Sequence, residues 1–192
     1  MTETITDLFS RCSKMVTKVL TYTSSLHLYY PTSEKKLSCI VLPDGKSIYI
    51  SDANSASDAT MLRDHGLKSV VSIRTPYIIM SPVYAAIDAN EEVNKLVLYF
   101  SDHVTTDITA YITLVNEFID NSFFNNASPL IHCSAGKSRS VSLLIAYIIL
   151  TYNITFQEAY DMVHTVRPEI EINDGFKHKL MLVEKINSNK SI

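Results

Sequence analysis

Residues 141–150 read VSLLIAYIIL, apolar at every position but Ser142. A helix of that composition offers no polar face, so other elements must cover it on all sides. The run is about half the roughly 20 residues that cross a bilayer, which predicts a buried core helix and no membrane span. Short β-rich runs alternate with helical patterns ahead of it. Residues 47–50, 68–73, 95–100 and 129–132 read as strands. Between them, 57–65 is helical and closed by Gly66, and Ser81 starts a helix with Pro82 at its first position. Tyr111, Leu114, Val115, Phe118 and Ile119 mark a further helix. After the fourth strand the chain stays helical over 138–151, 156–166 and about 174–186. Thr155 with Glu158 makes a capping box, and Asn173 or Asp174 is placed to cap the last helix. Strands alternating with helices predict one α/β domain, its central, mostly parallel sheet flanked by helices.

Ahead of this pattern, Ile5, Leu8, Phe9, Cys12, Met15, Val16, Val19 and Leu20 recur at helical spacing. Residues 21–44 mix Thr, Ser, Tyr and Lys without a period and read as a loop or linker. The expected organisation is an N-terminal amphipathic helix and linker over 1–45, a core domain over 46–187 and a tail over 188–192. The N-terminal stripe pads the domain or forms a homodimer contact; few basic residues on its polar face argue against membrane docking. No basic segment followed by an apolar one suggests export.

The 192 residues are 46% hydrophobic, enough for one core, and their formal charge is −3. That balance gives no basic field, so nucleic acid is not an expected partner and any anionic substrate has to be captured locally. Cys12, Cys39 and Cys133 are too few and too scattered for a disulfide framework, and no C-x-x-C pair suggests a metal site. A reducing setting, the cytoplasm or also the nucleus, is expected.

Chemistry concentrates in residues 129–142, PLIHCSAGKSRSVS: a strand, a loop of small residues, then the apolar helix. A helix N-terminus presents unpaired N–H groups and partial positive charge, so this geometry predicts an anion trap. Ser134, Ala135 and Gly136 permit close backbone approach, and Lys137 and Ser138 complete the phosphate-binding loop. Cys133 directly follows the strand, where a helix N-terminus and a nearby cation favour the nucleophilic thiolate. Arg139, six positions on, offers a planar fork of donors able to hold two phosphate oxygens as charge spreads over them. A nucleotide-binding reading of Gly-Lys-Ser at 136–138 fails, because the glycine required five positions earlier is Ile131.

The stretch HCSAGKSRS resembles the H-C-x5-R-S/T signature of the protein tyrosine phosphatase superfamily, and most of all its dual-specificity branch. Ser101-Asp102-His103, with Tyr111 nine residues after the Asp, resembles that branch's general-acid loop, and RPEIEINDGF at 167–176 resembles its C-terminal segment. The resemblance covers about 46–186, which makes the core domain the catalytic one. It implies Cys133 as nucleophile through a phosphocysteine intermediate, and Asp102 as general acid and then general base. Ser140 would hydrogen-bond the sulfur. His132 would order the loop and help keep the thiol ionised, and Asn173 would brace the loop from the C-terminal segment. No metal or organic cofactor is implied, and the expected partner is a phosphorylated protein substrate. Ile172 stands where Pro often precedes the Asn, and Lys179 where Gln is common. Inactive members of the family typically lose the Cys or the Arg; both are present here.

The expected function is therefore a protein phosphatase acting on phosphotyrosine and on phosphoserine or phosphothreonine. Two alternatives stand beside it: a non-protein substrate such as a phosphoinositide or an RNA 5′-triphosphate, which Lys137 favours, and a low-activity phosphoprotein-binding module. Asp107 competes with Asp102 from the same loop but is better placed to cap the next helix. Arg74 and Arg167 are read as helix-end or surface ion pairs, outside the site. Cys12 or Cys39 pairing with an oxidised Cys133 is a weaker option.

Overall fold

A computed structural model describes residues 36–77 and 81–190. The N-terminal helix expected before residue 21, the homodimer contact attached to it, and Cys12 lie outside the described residues. Five strands form one sheet: β1 (Leu37–Val41), β2 (Ser47–Ser51), β3 (Ser69–Arg74), β4 (Asn94–Tyr99) and β5 (Pro129–His132), in the order β1-β2-β5-β3-β4. Only β1 runs antiparallel to its neighbour; β2–β5, β5–β3 and β3–β4 are parallel. The mostly parallel α/β sheet is thus as expected, with β5 at its centre.

Strand β1 corrects the sequence reading, which placed these residues in a linker and began the domain at Lys46. Its side chains explain the miss. Ile40 alone is fully buried, and the rest are half-buried or exposed, so no alternation stands out. The signal lay in Pro43-Asp44-Gly45, a hairpin turn in which Gly45 takes φ 83° and its N–H donates to the Leu42 carbonyl at 2.9 Å.

Seven helices follow among the described residues. The helix expected over 57–65 is α2 (Ala59–Asp64), and a short helix not expected from the sequence, α1 (Ala53–Ala56), precedes it; Asp52 and Asp58 each cap a start of their own. Then come α3 (Pro82–Ala89), α4 (Thr109–Phe124), α5 (Arg139–Tyr152), α6 (Phe156–Val166) and α7 (Asp174–Lys190). The Thr155–Glu158 capping box forms as predicted. Alternation in the strands separates two cores. Ile131, Val71 and Ile73 join α4, α5, α6 and α7 on one face, while Leu130 and Val70 join α1, α2 and α3 on the other. Central strands β3 and β5 are buried at every position, and α5 is buried from Arg139 through Ile149. No helix among the described residues is long and apolar enough to cross a membrane.

This layering aims β5 and α5 at one point. The central strand ends at His132 and the buried helix begins at Arg139, so the loop between them is pinned at both ends by the best-packed elements of the domain.

Candidate active site

Cys133 sits at the carboxyl end of β5, buried, with its sulfur receiving two hydrogen bonds: from Gly136 N–H and from Ser140 Oγ, each at 3.2 Å. Both donors fix the sulfur at the foot of the loop. Gly136 has to be glycine. It takes φ 65°, and a Cβ there would collide with the Ser51 carbonyl and stand 2.7 Å from Arg167 Nη2.

The carbonyls of the loop show how it becomes an anion trap. Ser134 O accepts from Ala53 N–H at 3.2 Å, Lys137 O from Glu171 N–H at 2.9 Å, and Ser138 O from Ser142 N–H at 2.8 Å. Ala135 O and Gly136 O accept from the Arg167 guanidinium at 3.3 and 2.7 Å. Every carbonyl from Ser134 to Ser138 is therefore turned toward the scaffold. In a trans peptide the N–H points opposite to the C=O, so the amides of residues 135–139 point to the other side, into the pocket. The amides converge with the start of α5, whose dipole adds positive potential.

Arg139 is 5% exposed and held from several sides: Nη1 donates to Thr75 Oγ1 at 3.0 Å and to the Phe100 carbonyl at 3.3 Å, and Nη2 to Ser134 Oγ at 2.9 Å. Its Nε is buried with no hydrogen-bond partner among the described residues. That buried charged donor is available to an anion entering the loop.

Asp102 comes to the same mouth from the end of β4. Its Oδ1 accepts from Ser138 Oγ at 2.8 Å and from Asn173 Nδ2 at 2.6 Å, while Oδ2 lies 4.0 Å from Arg139 Nε. Asn173 thus braces the loop that carries Asp102, where the sequence reading has it bracing the phosphate-binding loop. Its Oδ1 meanwhile caps α7 by accepting from Phe176 N–H at 2.9 Å. Asp107 accepts from Thr109 N–H at 3.2 Å at the start of α4, which fits its assignment as a cap.

His132 is fully buried, and burial pushes its imidazole down to about 4, with the charges of Arg74 and Arg139 adding to the effect. It is neutral at physiological pH, so it brings no positive charge to Cys133. Its contribution is order: Nδ1 lies 3.4 Å from the Cys133 carbonyl. Lys137 is half-buried in the loop.

Arg167, at the end of α6, makes the helix-end ion pair expected of it, with Glu169 at 3.7 Å, but it is buried and does more than that pair implies. It is 1% exposed, and beyond its two loop carbonyls it donates through Nη1 to Lys36 O and Ser38 Oγ at 3.3 and 3.2 Å, tying the loop to β1. An arginine at a helix end ordinarily reads as a solvated cation, and nothing local to it shows burial. Arg74 is buried as well. It pairs with Asp88 at 2.9 and 2.6 Å and lies over the Tyr84 ring, whose hydroxyl is 3.3 Å from Ser134 Oγ. Cys39 lies on β1, which β2 separates from β5.

Comparison with known proteins agrees with this geometry. The family model for the dual specificity phosphatase catalytic domain matches residues 48–186. Dual specificity protein phosphatase 12 of Mus musculus is 31% identical over 137 residues, covering 71% of this chain and 39% of that protein. The serine/threonine/tyrosine-interacting protein of Mus musculus is 30% identical over 148 residues, covering 76% of this chain and 64% of that one. The chain thus spans less than two thirds of the length of either relative. Among solved structures, the human tyrosine phosphatase-like serine/threonine/tyrosine-interacting protein superposes with a TM-score of 0.66 at 27% identity, over 78% of this chain and 96% of that chain. Human DUSP28 shares the fold, with a TM-score of 0.67 at 20% identity over 79% and 95%.

Proposed function

This chain belongs to the dual specificity phosphatase family, and on that premise we propose that it hydrolyses phosphotyrosine and phosphoserine or phosphothreonine on proteins through a phosphocysteine intermediate. The observation that carries the reading is the Cys133 sulfur, hydrogen-bonded by Gly136 and Ser140, at the floor of a loop whose carbonyls are all turned outward.

A phosphate monoester enters with its nonbridging oxygens on the loop amides and the Arg139 fork, including Nε. The Cys133 thiolate forms a bond to phosphorus as the bond to the ester oxygen breaks, and protonated Asp102 gives its proton to the departing oxygen. Arg139 and the amides hold the charge that spreads over the equatorial oxygens. With the alcohol gone, Asp102 takes a proton from water as that water attacks phosphorus, and Cys133 leaves as thiolate. Ser140 stabilises the departing sulfur through its hydrogen bond. Inorganic phosphate is released and the starting protonation is restored.

Steady-state hydrolysis in EDTA of p-nitrophenyl phosphate and of matched phosphotyrosine, phosphothreonine and phosphoserine peptides tests this. The expected result is turnover on the aryl phosphate and on both peptide types, lost in Cys133→Ser. Lys137 is the feature that favours a more highly charged ester. Turnover confined to a phosphoinositide or an RNA 5′-triphosphate end would replace the protein substrate, and phosphopeptide binding without turnover on any substrate would make the chain a binding module.

A further inference from the structure

Gly175, in the first turn of α7, takes no left-handed φ, so its backbone conformation does not call for glycine. Its surroundings do. A Cβ at this position would strike the Val104 carbonyl and stand 2.6 Å from Val104 C and Cα. Val104 is two residues beyond Asp102, in a loop exposed from Asp102 through Thr105 and so held by little burial of its own. The same end of α7 meets the loop along its length. Asn173 Nδ2 holds Asp102, the Phe176 ring packs edge-on against Phe100 at 6.4 Å between centroids, and Lys179 Nζ pairs with Asp107 at 3.4 Å. Rigid helix backbone against loop backbone, with no side chain between them, fixes how far Asp102 reaches over the pocket.

We infer that Gly175 is a positioning residue for the general acid: the close approach it permits sets Asp102 with Oδ1 taken by Ser138 and Asn173 and Oδ2 left to carry the proton to the leaving oxygen. This rests on the assignment of Asp102 as the acid. The carboxylate oxygens are thereby unequal, and the reacting one is the oxygen nearer Arg139 Nε.

Protonation of the leaving group matters most when that group is a poor one, and this separates acid positioning from general damage. Gly175→Ala and Asn173→Ser are compared with Asp102→Asn in the whole chain on aryl phosphates from p-nitrophenyl to phenyl, with thermal melting as a check on folding. Alanine is the better helix former, and serine keeps the α7 cap while removing the donor to Asp102. Both variants are expected to lose about 10²-fold in kcat/KM on phenyl phosphate and far less on p-nitrophenyl phosphate. Gly175→Ala in an Asp102→Asn background is expected to add almost nothing, since both act through one group. If Asp102→Asn shows the leaving-group dependence while Gly175→Ala loses equally on every substrate, or adds its full loss in the double variant, the positioning role is wrong. If Asp102→Asn itself is indifferent to the leaving group, the acid assignment falls and takes this inference with it. Should Gly175→Ala melt before assay temperature, Asn173→Ser decides by the same criterion.

Discussion

The phosphate-binding loop and the acid loop close over one pocket, but they are held there by different means. Residues 133–139 are bracketed by the central strand β5 and the buried helix α5, and their carbonyls are gripped from behind by Ala53, Arg167 and Glu171. Residues 101–107 leave the edge strand β4 into solvent and are fixed by the start of α7 and the residue before it, some 70 positions further on: Asn173 lies 71 residues from Asp102. Cys133 and Arg139 are therefore placed by a short stretch of chain that buried partners from several elements hold in a dry setting, and Asp102 by a tertiary contact at the surface. Damage to the first should weaken binding and chemistry for every phosphate ester alike. Damage to the second should fall on poor leaving groups.

The largest effect expected on the loop side after loss of the thiol itself is from Arg139→Lys. A lysine keeps the charge but loses the fork and its ties to Thr75, Ser134 and the Phe100 carbonyl. A fall in kcat of about 10²- to 10³-fold is expected, equal across leaving groups, in steady-state assays. A loss confined to phenyl phosphate would erase the distinction between the two loops.

Arg167→Met sharpens the comparison from behind the loop. The variant fills the volume but leaves the Ala135 and Gly136 carbonyls without their donors, and unsatisfied buried partners of a charged group cost about 1.5 to 3 kcal/mol or more. Urea denaturation should report a loss in that range, and turnover should fall about 10-fold, again without leaving-group dependence.

His132 supplies the smallest effect, on stability alone. Its imidazole stands at about 4 in the fold against 6.5 when free, so between these values the unfolded chain binds the extra proton. Its contribution is complete above pH 6.5 and is lost as pH falls toward 4, up to about 3 kcal/mol in all. Denaturation of wild type and His132→Gln across that window should show the difference between them shrinking as pH drops. A constant difference would mean that the ring is not held neutral by burial.

The two loops also differ in how much of them could be read from sequence. Residues 129–142 carried strand, nucleophile, small residues, arginine and apolar helix in one stretch, each placing the next, and the family resemblance implied Ser140 as the donor to the sulfur. The capping box at Thr155 was equally local. The tertiary partners were not. Arg167 is defined by carbonyls 31 and 32 positions away, and Gly175 by a backbone it touches across the fold. Asn173 was recognised as a brace but put on the wrong loop, because its capping role says nothing of where the amide nitrogen points. Strand β1 was missed for a related reason: as an edge strand with one fully buried residue it shows no period, and only the Pro-Asp-Gly turn after it marked the hairpin.

The most direct test of the account is to quench the protein in denaturant while it is incubated with p-nitrophenyl phosphate in EDTA and map any covalent phosphate by peptide mass. The account predicts a single phosphoryl group on Cys133 that forms with the burst of p-nitrophenol, decays at the turnover rate and is absent from Cys133→Ser. Phosphate on any other residue, or undiminished turnover in Cys133→Ser, would contradict it.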